Sequence, residues 1–228
     1  MSKLPFYLFL IYFCYVHLNA ADQVAIKKET WEYISSIQDI SKKFKGDKGK
    51  VVPMGDSITF ANQAGAWARF GKEKTPAQLA LSKWMNTQEN DKRNGWWLAA
   101  DDQPSGRSWT AASGITSGEY LKGGFHGLPS LENILTDHQP QIALILLGTN
   151  DLNKKIPVIK YLENMETFYK KCIDSGTVPV VCTIIPTTWG SKEDLKSYNE
   201  GLFTLAEKLK LPFLDLYGEF LQIRPDDT

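Results

Sequence analysis

The sequence predicts an α/β fold in which helices cover both faces of a mainly parallel sheet. Short apolar runs alternate along the chain with stretches of helical spacing, which is typical of strands joined by helical crossovers. The clearest run, Ile142 to Leu147, has six consecutive apolar residues, as expected of a strand buried on both faces. The 228 residues, 43% of them hydrophobic, suffice for one substantial core. Together these observations predict a three-layer αβα sandwich with a flavodoxin-like, five-stranded sheet.

Five apolar runs are the predicted strands, and the second is the weakest. They lie at residues 51–54, 108–113, 142–147, 178–185 and 212–216. Helical spacing of apolar residues predicts helices at residues 24–45 (weakly), 60–87, 128–136, 157–175 and 191–209. Pro157 and Gly176 bracket one of these helices, and Ser191 starts the next in a pattern like a capping box. The chain after the last strand is polar and predicts no terminal helix.

The amino terminus, residues 1–21, has the features of an export signal. Lys3 precedes fifteen mainly apolar residues, Leu4 to Leu18, and small residues follow at Ala20 and Ala21. The run is shorter than the roughly 20 residues of a transmembrane helix. We therefore expect a secreted or periplasmic protein with no membrane contact after cleavage, the alternative being an uncleaved signal anchor.

We expect residues 22–49 to form a polar helical lead-in and residues 50–228 to form one domain.

Charge and motif content limit the partners and cofactors. The 26 basic and 26 acidic residues cancel, so the chain has no global attraction for nucleic acid or an anionic membrane. Sequence motifs for nucleotide, dinucleotide and zinc binding are absent, and we expect no cofactor and no metal. Cys172 and Cys182 would meet an oxidising compartment after export. They are either two buried thiols or a disulfide.

Polar segments follow three of the predicted strands. Gly55-Asp56-Ser57 comes after the first strand, a Gly-rich stretch at 113–119 after the second, and Gly148-Thr149-Asn150-Asp151 after the third. In a parallel sheet with helices on both faces, ligands bind beyond the carboxyl ends of the strands, where strand order reverses. These segments are therefore the candidate site.

In this order the three segments resemble the SGNH hydrolases, also called the GDSL family of esterases and lipases. The resemblance extends from about residue 50 to the end of the chain. It implies that Ser57 is the nucleophile and that Asn150 donates its side-chain amide to the oxyanion. It also implies that the backbone N–H of Gly118 is a second oxyanion donor, with Gly114 as the second choice.

This chemistry is consistent with the residues themselves. A serine hydroxyl needs a base and a stabilised oxyanion to attack an ester, and a strand-to-helix turn would expose Ser57 beside backbone N–H groups. Each residue alone has a structural alternative, since Ser57 would also suit a helix N-cap and Gly148 to Asp151 an ordinary turn. We expect Asp56 to hold the turn by hydrogen bonds.

The base that the family uses is missing. The family takes its histidine and the acid that orients it from a D-x-x-H block near the carboxyl terminus, and no such block occurs in this sequence. His17 lies in the signal, His126 on a predicted loop, and His138 at the amino end of the third strand, next to Asp137. We expect either a chain that ends before this block or a natural variant without it. A chain without its base would be a very poor catalyst.

The substrate is less constrained by the sequence. Trp96, Trp97 and Trp109 flank a polar stretch, where they would either stack on sugar rings or fill the core. We therefore expect an exported serine esterase acting on a small-molecule or polysaccharide ester, with deacetylation of carbohydrate as one candidate reaction. The alternative is a catalytically silent carbohydrate-binding or scaffold protein that keeps the pocket.

Overall fold

The computed structural model describes residues 26–61, 71–85 and 108–225. Within them the chain forms a parallel sheet of four strands, in the order β1-β2-β3-β4. The strands are β1 (Val51–Gly55), β2 (Ile142–Leu146), β3 (Val178–Cys182) and β4 (Phe213–Leu214). The signal segment 1–21, the tryptophans Trp96 and Trp97, and parts of the helix predicted at 60–87 lie outside the described residues.

The prediction of five strands is wrong, because the described residues form four. The predicted second strand, 108–113, is reduced to a single parallel bridge between Ala111 and Gly55. Two backbone hydrogen bonds hold it: Gly55 donates to the Thr110 carbonyl at 3.4 Å, and Ala112 donates to the Gly55 carbonyl at 3.3 Å. The chain then turns away at Gly114, where φ is +86°, so the ladder does not extend.

The bridge nevertheless preserves the predicted topology. Ala111 lies on one side of β1 and β2 lies on the other. The chain therefore changes direction across the sheet at β1, as in the flavodoxin-like order, and a crevice is expected beyond the carboxyl ends of β1 and β2.

Nine α-helices accompany the strands within the described ranges. In chain order they are α1 (Ile34–Lys43), α2 (Ser57–Ala61), α3 (Pro76–Met85), α4 (Ser117–Lys122), α5 (Leu131–His138), α6 (Thr149–Asn153), α7 (Val158–Ser175), α8 (Lys192–Leu209) and α9 (Leu216–Ile223). A short 3₁₀ helix spans Phe125–Gly127. The predicted end of α7 and the predicted start of α8 are confirmed. Gly176 ends α7 in the left-handed conformation, and the Ser191 hydroxyl accepts the Asp194 N–H at 3.0 Å.

The helix α9 contradicts the expectation that no terminal helix follows the last strand. It also explains why β4 is shorter than the predicted 212–216, because Asp215 is already the N-cap of the helix. The strand predicted at 178–185 likewise ends early, at Cys182.

Apolar packing joins the sheet to its helices. The two long helices, α7 and α8, pack on each other and on β3. In β2 the residues Ala143 and Ile145 are fully buried, whereas Ile142, Leu144 and Leu146 are partly exposed. One face of this strand is therefore covered more completely than the other. The largest fully buried side chains include Tyr120, Tyr161, Phe168, Tyr169, Met54, Ile115 and Leu131.

Two further sequence questions concern the thiols and the membrane. Cys172 and Cys182 are both buried and both free, so no disulfide joins them. Burial raises the pKa of both thiols, that of Cys182 to about 12. No helix in ranges 26–61, 71–85 and 108–225 is long and apolar enough to cross a membrane.

Candidate active site

Ser57 lies at the point where β1 turns into a helix. It is the first residue of α2, and its side chain is exposed beyond the carboxyl end of the strand. Gly55, two residues earlier, has no space for a side chain, because a Cβ there would collide with Thr59 and with the carbonyl oxygen of Leu146. The sequence expectation of a tight strand-to-helix turn is confirmed at this position.

The carboxyl group of Asp56 is buried inside this turn. Its Oδ1 accepts the Ile58 backbone N–H at 3.1 Å, so it holds the turn as expected. Its Oδ2 accepts from the Asn150 amide nitrogen Nδ2 at 3.3 Å. Burial raises the pKa of Asp56 to about 6, and the nearby charge of Asp151 adds to the increase, while hydrogen bonds from Ile58 and Thr149 oppose it.

Asn150 connects the three predicted segments. It is the second residue of the short helix α6, which begins directly after β2 and Gly148. Besides the bond to Asp56, its Nδ2 donates to the Ile115 carbonyl at 3.1 Å. One side chain thus bonds the segment that carries Ser57 to the segment that precedes Gly118.

Gly118 lies in the first turn of α4, where backbone N–H groups have no acceptor within the helix. A capping box fixes this end: the Thr116 hydroxyl accepts the Glu119 N–H at 3.3 Å, and the Glu119 carboxylate accepts the Thr116 N–H at 2.9 Å. A Cβ on Gly118 would lie 3.2 Å from Asn164 Nδ2. The second choice, Gly114, lies in a turn beside the Phe125 ring instead.

A second buried carboxyl group, Asp151, holds the start of α4 against α6. Its Oδ2 accepts the Ser117 backbone N–H at 2.9 Å, and its Oδ1 accepts the Ser117 hydroxyl at 2.6 Å. Asn164 of α7 in turn donates to the same hydroxyl at 3.0 Å. Burial raises the pKa of Asp151, although both bonds from Ser117 lower it.

Sequence reasoning did not assign roles to Asp151, Asn164 or the capping box. The pattern Thr116-x-x-Glu119 is a recognisable signal for a helix start and would have located α4. The partners of Asp151 and Asn164 are distant in sequence, so no local pattern indicates them.

The two described histidines differ in their position relative to Ser57: His126 lines a cavity together with Phe60 of α2, whereas His138 lies farther along the chain near the start of β2. His138 is the last residue of α5, is buried, and lies towards the amino end of β2, where its ring contacts Trp109 with centroids 6.1 Å apart. His126 is exposed on the 3₁₀ helix, and its ring stacks on Phe125 at 4.3 Å. Trp109 is half-buried, and its indole N–H is enclosed.

No group of acidic, histidine and cysteine side chains in the described ranges is arranged to hold a metal ion.

The fold and the order of the three segments define a class, the SGNH-type hydrolases. The chain belongs to the GDSL-like lipase/acylhydrolase family, whose model matches residues 54–227. It is thus an ester-hydrolysing enzyme by family. No curated protein sequence matches the chain.

Solved structures of similar fold include esterases. The psychrotrophic esterase EstA from Pseudoalteromonas sp. matches with a TM-score of 0.50 and 19% identity, over 73% of this chain and 76% of that chain. A Bacteroides fragilis protein described as an acylhydrolase matches with a TM-score of 0.50 and 18% identity, over 83% of this chain and 79% of that chain. A variant of the esterase AlinE4 matches with a TM-score of 0.50 and 17% identity, over 80% of this chain and 83% of that chain. At these identities the likeness concerns the fold.

Proposed function

We propose that the chain is an exported serine esterase in which Ser57 is the nucleophile and Gly118 and Asn150 are oxyanion donors. The observation that carries the proposal is the pair of hydrogen bonds from Asn150, to Asp56 next to Ser57 and to Ile115 near Gly118. These bonds gather an exposed hydroxyl, a side-chain amide and the start of a helix at one edge of the sheet.

The reaction follows from these groups. The Ser57 Oγ attacks the ester carbonyl carbon while a base takes its proton, and the carbonyl oxygen becomes an oxyanion. The backbone N–H groups of Ser57 and Gly118 and the amide of Asn150 stabilise that charge. The C–O bond to the alcohol then breaks, the alcohol leaves with the proton, and water hydrolyses the acyl-serine. Loss of one such donor typically costs about 100- to 1,000-fold in turnover.

The base is the part of this mechanism that the family's D-x-x-H block would supply, and residues 1–228 contain no such block. His138 lies towards the opposite edge of the sheet, and His126 is exposed and stacked on Phe125. We propose that neither histidine is the base and that the chain of residues 1–228 turns over esters slowly, with the oxyanion donors and binding as its remaining sources of catalysis.

Added imidazole tests the nucleophile directly, because it supplies a base from solution. With p-nitrophenyl acetate, we expect imidazole to increase protein-dependent turnover of the wild-type chain and to leave Ser57→Ala at the level of imidazole alone. Ser41→Ala is the matched control, since Ser41 is an exposed serine on α1, and it should behave like the wild type. Equal turnover by wild type and Ser57→Ala would remove Ser57 from the mechanism.

The same experiment distinguishes the esterase from the second candidate, a silent carbohydrate-binding or scaffold protein. That candidate is favoured by the absence of a D-x-x-H block from residues 1–228, and it predicts no turnover with or without imidazole. His126→Ala completes the set: if His126 were the base, wild-type turnover without imidazole would be substantial and would fall in this variant.

A carbohydrate ester and export are the more specific parts of the proposal, and both rest on sequence. Trp96 and Trp97 flank a polar stretch, whereas the half-buried Trp109 contacts His138 and adds no support for sugar stacking. Acetate release from an acetylated polysaccharide under imidazole rescue is the measurement for the substrate. Amino-terminal sequencing after expression in an exporting host should find Ala21 or Asp22 first, and an intact Met1 would contradict cleavage.

A further inference from the structure

The Asn150 amide has no hydrogen free for a ligand in this structure. Its Nδ2 carries two hydrogens, and these are donated to Asp56 Oδ2 at 3.3 Å and to the Ile115 carbonyl at 3.1 Å. An oxyanion donor must present an N–H to the reacting oxygen. If Asn150 has that role, one of these two bonds must be exchanged when an ester reacts.

The bond to Asp56 is the better candidate for exchange. It is the longer of the two, and Asp56 keeps other partners without it, since Oδ1 accepts from Ile58 at 3.1 Å and the carboxyl group also bonds Thr149. Asp56 is fully buried and directly precedes Ser57, so an amide released from it stays next to the nucleophile.

We propose that Asp56 is a positioning residue that holds the Asn150 amide through Oδ2 and gives up this bond to the ester oxyanion during reaction. The holding contact stands on the structure alone, whereas the exchange rests on the proposed function. In this arrangement the buried carboxylate keeps the amide hydrogens oriented before the ester arrives, which reduces the cost of ordering the oxyanion donor.

The charge of Asp56 must then affect Asn150. Among the residues that the structure describes, the titratable groups that interact with Asp56 are the Asp151 carboxyl group and the Tyr161 hydroxyl. Tyr161 stays neutral, because burial raises its pKa far above the ordinary value. Asp151 bonds Ser117 and not Asn150. With the pKa of Asp56 near 6, the carboxylate is a charged acceptor above that pH and becomes a weaker, neutral acceptor below it.

Side-chain amide NMR of the ¹⁵N-labelled chain tests the holding contact without any substrate. We expect the Asn150 NH₂ resonances to shift between pH 4 and 8 with a midpoint near 6, because ionisation of Asp56 strengthens the bond they report. Asn164, which bonds the neutral Ser117 hydroxyl, provides an internal comparison and should respond less. Asn150 resonances that do not change over this range would overturn the proposal, whether or not the chain hydrolyses esters.

The variant Asp56→Asn tests the same contact by changing the group that accepts from Asn150. Asparagine retains an acceptor for Ile58 but places an amide nitrogen against the Asn150 nitrogen, so the pH-dependent shift of Asn150 should disappear. Under imidazole rescue we expect kcat to fall about 100-fold, as for a lost oxyanion donor, with KM changed less than about two-fold. Asp39→Asn is the matched control, because Asp39 is exposed and pairs with Lys42 on α1, and it should match the wild type in both readouts.

The outcomes distinguish the contact between Asp56 and Asn150 from the esterase role. A normal Asn150 titration with no rescued turnover in any variant would retain the holding contact and remove the esterase role. A titration that persists in Asp56→Asn, or rescued kcat equal to that of the wild type, would overturn Asp56 as the positioning residue. If Asp56→Asn does not fold, the wild-type titration still decides.

Discussion

Gly148 adopts a backbone conformation that would strain any residue with a side chain. It lies between β2 and the helix that carries Asn150, with φ of +132°. A Cβ there would collide with the Ile184 side chain and lie 2.8 Å from the Tyr161 hydroxyl. That hydroxyl donates to the Leu147 carbonyl at 2.8 Å, so it cannot move without losing a buried hydrogen bond. The position of Asn150 therefore depends on a glycine before it.

We expect Gly148→Ala to lower the free energy of unfolding by about 3 kcal/mol or more. Backbone strain contributes about 1–3 kcal/mol and overpacking a similar amount. Gly124→Ala is the matched control, because Gly124 also has a positive φ, +87°, but a Cβ there meets nothing within 4 Å. It should cost only about 1–2 kcal/mol. Urea unfolding measures both, and equal losses would contradict the packing argument.

The terminal helix α9 is an element that depends on one buried cap. Asp215 Oδ1 accepts the Gly218 N–H at 3.1 Å and the Thr183 hydroxyl at 3.1 Å. Its Oδ2 accepts the Lys27 backbone N–H at 2.8 Å. A single carboxylate thus joins the helix, the end of β3 and the amino-terminal segment.

We expect Asp215→Ala to destabilise the protein by roughly 2–4 kcal/mol, because it removes an N-cap and leaves buried donors without an acceptor. Hydrogen exchange should show faster exchange within α9 than within α7 or α8. Asp174→Ala, at an exposed carboxylate that pairs with Lys43, should change the unfolding free energy by less than about 1 kcal/mol. Unchanged exchange in α9 would show that the helix does not depend on this cap.

Stability of the whole molecule should depend on pH through its buried carboxyl groups. The pKa of Asp56 rises from its ordinary value of 3.8 to about 6, so this group favours the folded state while it is protonated. Its contribution is present in full below about pH 4 and is lost as pH rises through 6. Asp151 acts in the same direction, since its pKa is also raised.

The side chain of Asp56→Asn cannot ionise, so this variant should not lose stability in this way as the pH rises through 6. We expect its unfolding free energy, relative to the wild type, to increase between pH 4 and 8 by up to about 3 kcal/mol, since one pKa unit corresponds to about 1.4 kcal/mol. Urea unfolding at a series of pH values measures the difference. A difference independent of pH would mean that Asp56 is not a titrating buried acid in the folded state.

Local patterns were sufficient to predict the location of the four strands that form, although not all of their ends, and the two long helices. Apolar runs predicted β1 and β2, and residues such as Gly176 and Ser191 act on their own neighbours, so their effect is visible in a short window. The position of Ser57 at a strand-to-helix turn was predictable for the same reason. Family membership then follows from the order of such local segments.

Tertiary contacts decided the remaining features. Residues 108–113 form one bridge because the chain turns away at Gly114, and α9 forms because Asp215 finds partners in β3 and near residue 27. One hydrogen bond of the candidate site joins Asn150 to Asp56, which are 94 positions apart in the chain. The sequence by itself determined which polar segments follow the strands, because each segment is a local pattern. Only the folded chain determined which acceptors the Asn150 amide meets, because burial and hydrogen bonding between distant segments arise when the sheet assembles.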